Sequence, residues 1–226
     1  MVLSTLAMRL LPGADVCSPG DVVGPYAFHF SGVSAISNAP APVAGLARLD
    51  FDGKDSVSGY SSVNFDGLLL GNPVTGSYEV SSDCKLTWRL QDDSGGYQHF
   101  SGAVKPGSKR IEVRQTDDGA GTRGVLEKTS DACTAADFRG RYALTFSGPR
   151  RAAIEGTAAA DGLAGVTVTG QVQGRGSFEV DHDCVVRIEL EDGAVKLRGV
   201  LVDGGKAALA IQTNPGEPVS ARFVAQ

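Results

Sequence analysis

Gly76-Ser77-Tyr78-Glu79-Val80-Ser81-Ser82-Asp83-Cys84 returns later in the chain as Gly176-Ser177-Phe178-Glu179-Val180-Asp181-His182-Asp183-Cys184. Six of the nine positions are identical, and the tyrosine gives way to another aromatic. A return at such long spacing is the signature of a duplicated unit. The match extends both ways. Cys17 is followed seven residues on by Gly24-Pro25-Tyr26-Ala27-Phe28-His29-Phe30-Ser31-Gly32, and Cys133 by Gly140-Arg141-Tyr142-Ala143-Leu144-Thr145-Phe146-Ser147-Gly148 at the same distance. Downstream, Lys109–Gly119 (KRIEVRQTDDG) matches Lys206–Gly216 (KAALAIQTNPG). The offset between copies falls from 116 to 100 to 97, so the first copy holds extra residues, placed around Ser34–Ala44 and Gly59–Gly71. The chain divides into a leader or short N-terminal segment (1–16), a first repeat (17–130) and a second (133–226). Only Thr129–Ala132 joins the repeats, with no Pro/Ser-rich linker, which predicts that they pack against each other.

The 226 residues suffice for one large or two small domains, with 42% hydrophobic and 21% charged residues, ordinary for a globular protein. A net charge of −5 argues against a general affinity for nucleic acid or anionic membrane. No apolar run is long enough for a transmembrane helix. Met1–Leu11 reads either as the remainder of a secretory h-region, with Arg9 interrupting it, or as a short helix or disordered leader. Ala14-Asp15-Val16-Cys17 makes a poor lipidation signal.

Each repeat has two cysteines at matched positions, Cys17 with Cys133 and Cys84 with Cys184. Of the three possible connectivities, the duplication favours the one that treats both copies alike, Cys17–Cys84 and Cys133–Cys184. Loops of this length stabilise by roughly 3–4 kcal/mol each in the chain-entropy model. Pairing implies an oxidising compartment, so the expected location is secreted or periplasmic. No CxxC spacing points to zinc, and no cofactor is indicated.

Beyond the leader the pattern has period two. Tyr26, Phe28 and Phe30 share one face, as do Tyr142, Leu144 and Phe146, which makes that face the core and sets His29 on the outer, solvent side. Asp52-Gly53, Asp66-Gly67, Asp161-Gly162, Asp192-Gly193 and Asp203-Gly204 mark hairpin turns. About eight strands per repeat follow, and the fold class is all-β and antiparallel. Two tandem up-and-down, barrel-like units would remove exposed edges. Two sandwiches, or one sheet shared by the copies, stay open. The pattern of Cys, G-x-Y-x-F/L-x-F-S-G, G-S-Y/F-E-V-x-x-D-C and Q-T-x-x-G resembles uncharacterised secreted bacterial proteins with lipocalin-like or allene-oxide-cyclase-like barrels. That resemblance implies a calycin-like fold and either ligand carriage or cyclisation of a hydrophobic substrate; it carries over no catalytic residue.

Candidate functional residues are sparse. Trp88, Tyr26 and Phe28 are core aromatics that could line a cavity, and Gln115 and Gln212 are amides on an apolar face that must find partners. His29, His99 and His182 align with Thr145, Lys196 and Ser82, so no histidine site is duplicated. Glu79 and Glu179 fall on the outer face, while Asp83 and Asp183 cap turns. Asp50–Asp55 lacks the spacing of a calcium loop. Arg139, Arg141, Arg150 and Arg151 form a local basic patch or a charged edge that discourages strand pairing. The expected function is non-catalytic binding of a small apolar ligand or a protein partner, with a cavity favoured in the first repeat. The alternative is a barrel cyclase that shapes its substrate by positioning.

Overall fold

A computed structural model describes residues 16–34, 40–93 and 95–226. Residues 1–15 of the predicted leader, and 35–39 of the first extra segment, lie outside the described residues. The chain forms two closed antiparallel barrels of eight strands each. In the first, β1 (Val23–Ser34), β2 (Ala41–Asp52), β3 (Ser56–Phe65), β4 (Leu68–Val80), β5 (Lys85–Asp92), β6 (Tyr97–Ala103), β7 (Arg110–Gln115) and β8 (Arg123–Lys128) pair in sequence order, and β8 returns to β1. The second repeats the scheme with β9 (Arg139–Gly148), β10 (Arg151–Asp161), β11 (Gly165–Gly170), β12 (Gly174–Val180), β13 (Val185–Leu190), β14 (Val195–Val202), β15 (Ala207–Gln212) and β16 (Ser220–Ala225), where β16 closes on β9. Since β9 pairs on both sides, its arginines do not guard an edge.

One end of each barrel is plugged in the same way. A 3-10 turn, Pro19–Asp21 or Ala135–Asp137, covers the opening with a capping box of Ser18 and Asp21, or Thr134 and Asp137. Disulfides Cys17–Cys84 and Cys133–Cys184 tie each plug to the turn after β4 or β12, with Cα separations of 5.0 and 4.8 Å. We call this the cysteine end. The glycine of the repeated nonapeptide has a steric cause. A Cβ on Gly76 would sit 1.8 Å from the Arg89 carbonyl oxygen, and on Gly176 the same distance from that of Glu189. Only glycine allows the strands to approach so closely where the barrel bends.

Above the plug, the aromatic packing differs between copies by a compensating exchange. In the first barrel Phe51 meets Tyr26 and Tyr78 edge-on, with centroids 5.6 and 5.0 Å apart. The equivalent of Phe51 in the second barrel is Ala160. The ring volume is restored by Phe138, at the position of Val22, which stacks on Tyr142 at 4.9 Å and meets Phe178 at 5.1 Å. Volume is conserved while its origin moves, as core packing demands.

The extra residues of the first copy lengthen its strands. The β3–β4 hairpin has strands of 10 and 13 residues, against 6 and 7 for β11–β12. It turns through Asp66 (φ 44°) and Gly67 (φ 102°) between the paired Phe65 and Leu68. A two-residue turn with both φ positive matches the twist of its strands.

The barrels lie side by side, joined through an apolar layer separate from either interior. Ala27, Ala44, Leu46 and Val125 of the first barrel meet Val185, Val200, Val202, Ala207, Leu209 and Ile211 of the second. These are outward-facing positions. Polar contacts frame the layer: Arg48 Nε donates to the Asp183 carbonyl at 3.0 Å, Thr129 Oγ1 to the Leu201 carbonyl at 2.5 Å, and Asn64 Nδ2 to the Gly216 carbonyl at 3.4 Å. The basic patch contributes too, since Arg150 reaches Asp66 at 3.4 Å. The contact is heterologous, with β1, β2 and β8 of one copy against β13–β15 of the other. Leu209 is fully buried in this layer. Leu209→Ala is expected to lower unfolding free energy by about 2–5 kcal/mol, read by chemical denaturation. A loss under about 1 kcal/mol would show that the layer contributes little.

Candidate functional site

The end opposite the cysteines is open in the first barrel. A cavity of about 150 Å³ enters there, floored by Phe28, Phe30, Ala47, Val74 and Leu90. Its mouth carries Ser61, Phe65, Leu70, Asn72, Asp92, Tyr97 and Gln98. Strand alternation explains this set: β1 and β5 send every second side chain inward, and the long β3–β4 hairpin forms one wall. Beneath the floor, Trp88 stacks on Phe100 at 5.1 Å and meets Phe28 edge-on at 5.6 Å. The Trp88 indole N–H is buried with no acceptor among the described residues. Exposed leucines flank the mouth, Leu68 at 61%, Leu69 at 40% and Leu70 at 37% exposure, on the hairpin that only the first copy extends.

The predicted site residues fall in different places. Phe28 lines the cavity, and Trp88 packs one layer below it. Tyr26 is fully buried near the cysteine end, against Phe51. Gln115 and Gln212 end their strands at the end of their respective barrels opposite the cysteines. The structure therefore brings Phe28 and Trp88 together and leaves Tyr26 and Gln212 apart from them.

The Gln-Thr repeat has a local role. Gln115 Nε2 donates to Asp117 Oδ2 at 2.9 Å, and Asp117 also accepts the His99 backbone N–H at 2.9 Å and faces His99 Nδ1 at 2.7 Å. Burial pushes the Asp117 carboxyl up, but these donors outweigh it and hold the group below its ordinary range. In the second copy Asn214 takes that place, with its Oδ1 accepting the Lys196 backbone N–H at 2.5 Å. The loop is thus strapped to the neighbouring strand by the residue two beyond the glutamine. His99 belongs to this strap, and its side chain is half exposed.

His29 departs from expectation. It does face out of its barrel, but outward there means toward the second barrel. The residue is only partly accessible, and its Nε2 is enclosed with no hydrogen-bond partner among the described residues. Burial, and then the nearby Arg222, lower its pKa from 6.5 to about 4, with Arg110 adding to the effect and the Ala210 carbonyl opposing it. His29 is neutral at physiological pH.

Glu79 and Glu179 are exposed. The serine of the first nonapeptide, Ser81, donates to Asp83, whereas in the second copy Asp181 accepts the Val185 N–H at 3.0 Å. Asp52 accepts the N–H groups of Lys54, Asp55 and Ser56, and Asp161 those of Leu163, Ala164 and Gly165. The Asp50–Asp55 stretch is therefore a hairpin turn. Among the described residues no cluster of histidine, cysteine or carboxylate side chains could hold a metal ion, and no helix is long and apolar enough to cross a membrane.

No family model and no curated protein matches the chain. A search of solved structures finds similarity to isotype 1 transferrin binding protein B from serogroup B Neisseria meningitidis, at 7% identity and a TM-score of 0.31. The match covers 89% of this chain and 76% of that one.

Two outcomes follow from this geometry. His29 titrates at about 4 when folded and near 6.5 when unfolded, so its stabilising effect is complete above pH 6.5 and is lost as pH falls toward 4. The loss is at most about 3 kcal/mol, and His29→Leu should flatten that part of the stability–pH curve. An unchanged curve in the variant would refute the assignment. Separately, Asp117→Asn, which borrows the residue of the second copy, is expected to be tolerated, whereas Asp117→Ala should cost about 1–3 kcal/mol; equal thermal melting of the two variants would contradict the strap.

Proposed function

We propose that this chain is an exported, non-catalytic binding protein whose first barrel takes a small apolar ligand. The observation that carries the reading is the cavity at the open end of that barrel. An eight-stranded barrel has room for its own side chains or for one small ligand. In the first barrel the extended β3–β4 hairpin forms one wall of that room. A void near 150 Å³ lined by apolar groups is of the size that admits a single aromatic ring or a short branched alkyl group, and is too small for a long acyl chain. Asn72, Asp92 and Gln98 at the mouth would orient a polar substituent toward solvent. Two disulfides suit an oxidising, extracytoplasmic setting.

A protein partner is the second reading, favoured by the exposed leucines at 68–70 on the extended hairpin. The cyclase alternative asks for a polar group that stabilises charge as it develops, and the polar side chains lie at the mouth rather than on the floor.

Trp88 is the sole tryptophan, so its emission reports on the floor of the cavity. Titration with indole, benzene and a C16 fatty acid should give a saturable change for the two ring compounds only. Ala47→Leu, which fills the floor, should abolish that change while thermal melting stays cooperative. Tight fatty-acid binding, or an unaltered ring response in Ala47→Leu, would overturn this reading; turnover of a bound compound would move it to the cyclase.

A further inference from the structure

A second concavity opens where the barrels meet, on the side of β8 and β16 and toward the cysteine end. It has a volume of about 410 Å³, within the range of small-molecule sites. Its apolar lining is small: Ala207, which is buried, and the exposed Val224 and Ala225. Its walls hold five cations, Lys109, Arg110, Lys128, Lys206 and Arg222, against two carboxylates, Glu127 and Asp203.

The charges do not cancel. Glu127, 8% exposed, is shared by Arg110 and by Arg222, whose Nη1 lies 2.8 Å away. Glu112 adds a second carboxylate to Arg110 at 2.7 Å. These four groups balance. Lys128 Nζ donates to the Val23 carbonyl at 2.9 Å and lies over the Tyr26 ring, two neutral partners that leave its charge uncompensated. Lys109 and Lys206 have no ion pair among the described residues. Three lysines therefore face one aspartate in a concave site, on a chain whose net charge is −5.

The two free lysines have a common origin. Lys109 and Lys206 are the same residue of the repeat, each standing just before or at the start of the seventh strand of its barrel. In isolated barrels they would be ordinary solvated lysines. Heterologous packing lays the cysteine end of β7–β8 beside that of β15–β16, and so puts both into one cleft. The shared Glu127 fixes the two arginines across the junction and makes the walls rigid. The same positive field reaches His29, which Arg222 and Arg110 help to keep neutral.

We propose that this inter-barrel cleft is a binding site for a small, multiply charged anion of the phosphate-ester class, held by Lys109, Lys206 and Lys128 with Arg222 behind them. Ammonium groups serve as point charges for phosphate oxygens, and a concave, partly desolvated site strengthens each contact over its value on an open surface. The apolar lining of Ala207, Val224 and Ala225 would meet the organic part of an ester.

The test is titration of the full chain with inorganic pyrophosphate by calorimetry at low ionic strength, in parallel with sedimentation on phosphatidylcholine vesicles containing phosphatidic acid. Saturable binding is expected, weaker by about tenfold or more in Lys109→Ala/Lys206→Ala. It should be nearly unchanged in Lys54→Ala/Lys85→Ala, which removes the same charge outside the cleft. All four lysines are exposed, so both variants should fold, and thermal melting confirms it. Lysine-dependent binding of pyrophosphate assigns a free phosphate ester, and lysine-dependent sedimentation alone assigns a headgroup on a membrane. Absence of saturable binding in both arms, or equal loss in the two double variants, would overturn the proposal.

Discussion

The arrangement of the molecule depends on burial of one outward-facing surface. A closed barrel satisfies all of its backbone hydrogen bonds and hides its apolar residues inside, so nothing in the fold itself obliges two barrels to touch. What obliges them is the outer face of β13–β15, where Val185, Val200, Val202, Ala207, Leu209 and Ile211 would otherwise meet water. Covering such a face is favourable by about 25 cal/mol per Å² of apolar area removed from water. Cross-barrel bonds from Arg48, Thr129 and Asn64 set the orientation of the barrels; the aliphatic layer holds them together.

That layer was legible in the chain, though not through periodicity. Alternation told inside from outside correctly at His29 and then equated outside with solvent, which was the error. Comparison of the two copies at outward positions corrects it. Lys85, Lys105, Arg110, Glu112 and Arg114 of the first repeat stand where the second has Val185, Val202, Ala207, Leu209 and Ile211. A surface that changes from charged to aliphatic between copies of one fold is a surface that has acquired a neighbour. The reciprocal face shows the same signal, since Leu46 and Val125 replace what are Glu155 and Arg222 in the second copy. By contrast, the strands, the hairpin turns and the cysteine pairing could all be read directly, because each rests on a local rule: period two, Asp-Gly turns, or matched spacing.

The cavity was harder to read for a physical reason. Whether a barrel interior is filled depends on summed volumes across eight strands rather than on any one side chain. Phe51 and Val22 exchange places with Ala160 and Phe138 at the cysteine end with no net loss of ring volume. A residue-by-residue comparison there would mark two differences and mistake compensation for a site. At the open end no such exchange operates: the first copy lengthens β3 and β4, and the added wall encloses space without bringing side chains to fill it. The strap had the opposite difficulty. Retention of Gln115 and Gln212 drew attention to the amides, yet the group that bridges the strands is Asp117 in one copy and Asn214 in the other. These differ in name but offer the same carbonyl-type oxygen to a backbone N–H.

Duplication with heterologous packing also explains why the first barrel's cavity and the basic cleft lie at opposite ends. Both cysteine ends are closed by their own disulfide-tied plugs, so a pocket inside a barrel can only open at the far end, where the copy with the longer hairpin builds one. Between the barrels the logic reverses. Toward the ends opposite the cysteines, Asn64, Asp66, Arg150 and Gly216 draw the loops together, while toward the cysteine ends the lysines just before each seventh strand line a cleft bridged at Glu127. Removal of the duplication would therefore have unequal effects. A lone first barrel would keep its apolar cavity, whose lining comes entirely from β1–β6, but it would lose the basic cleft, because no single repeat contains both of its walls.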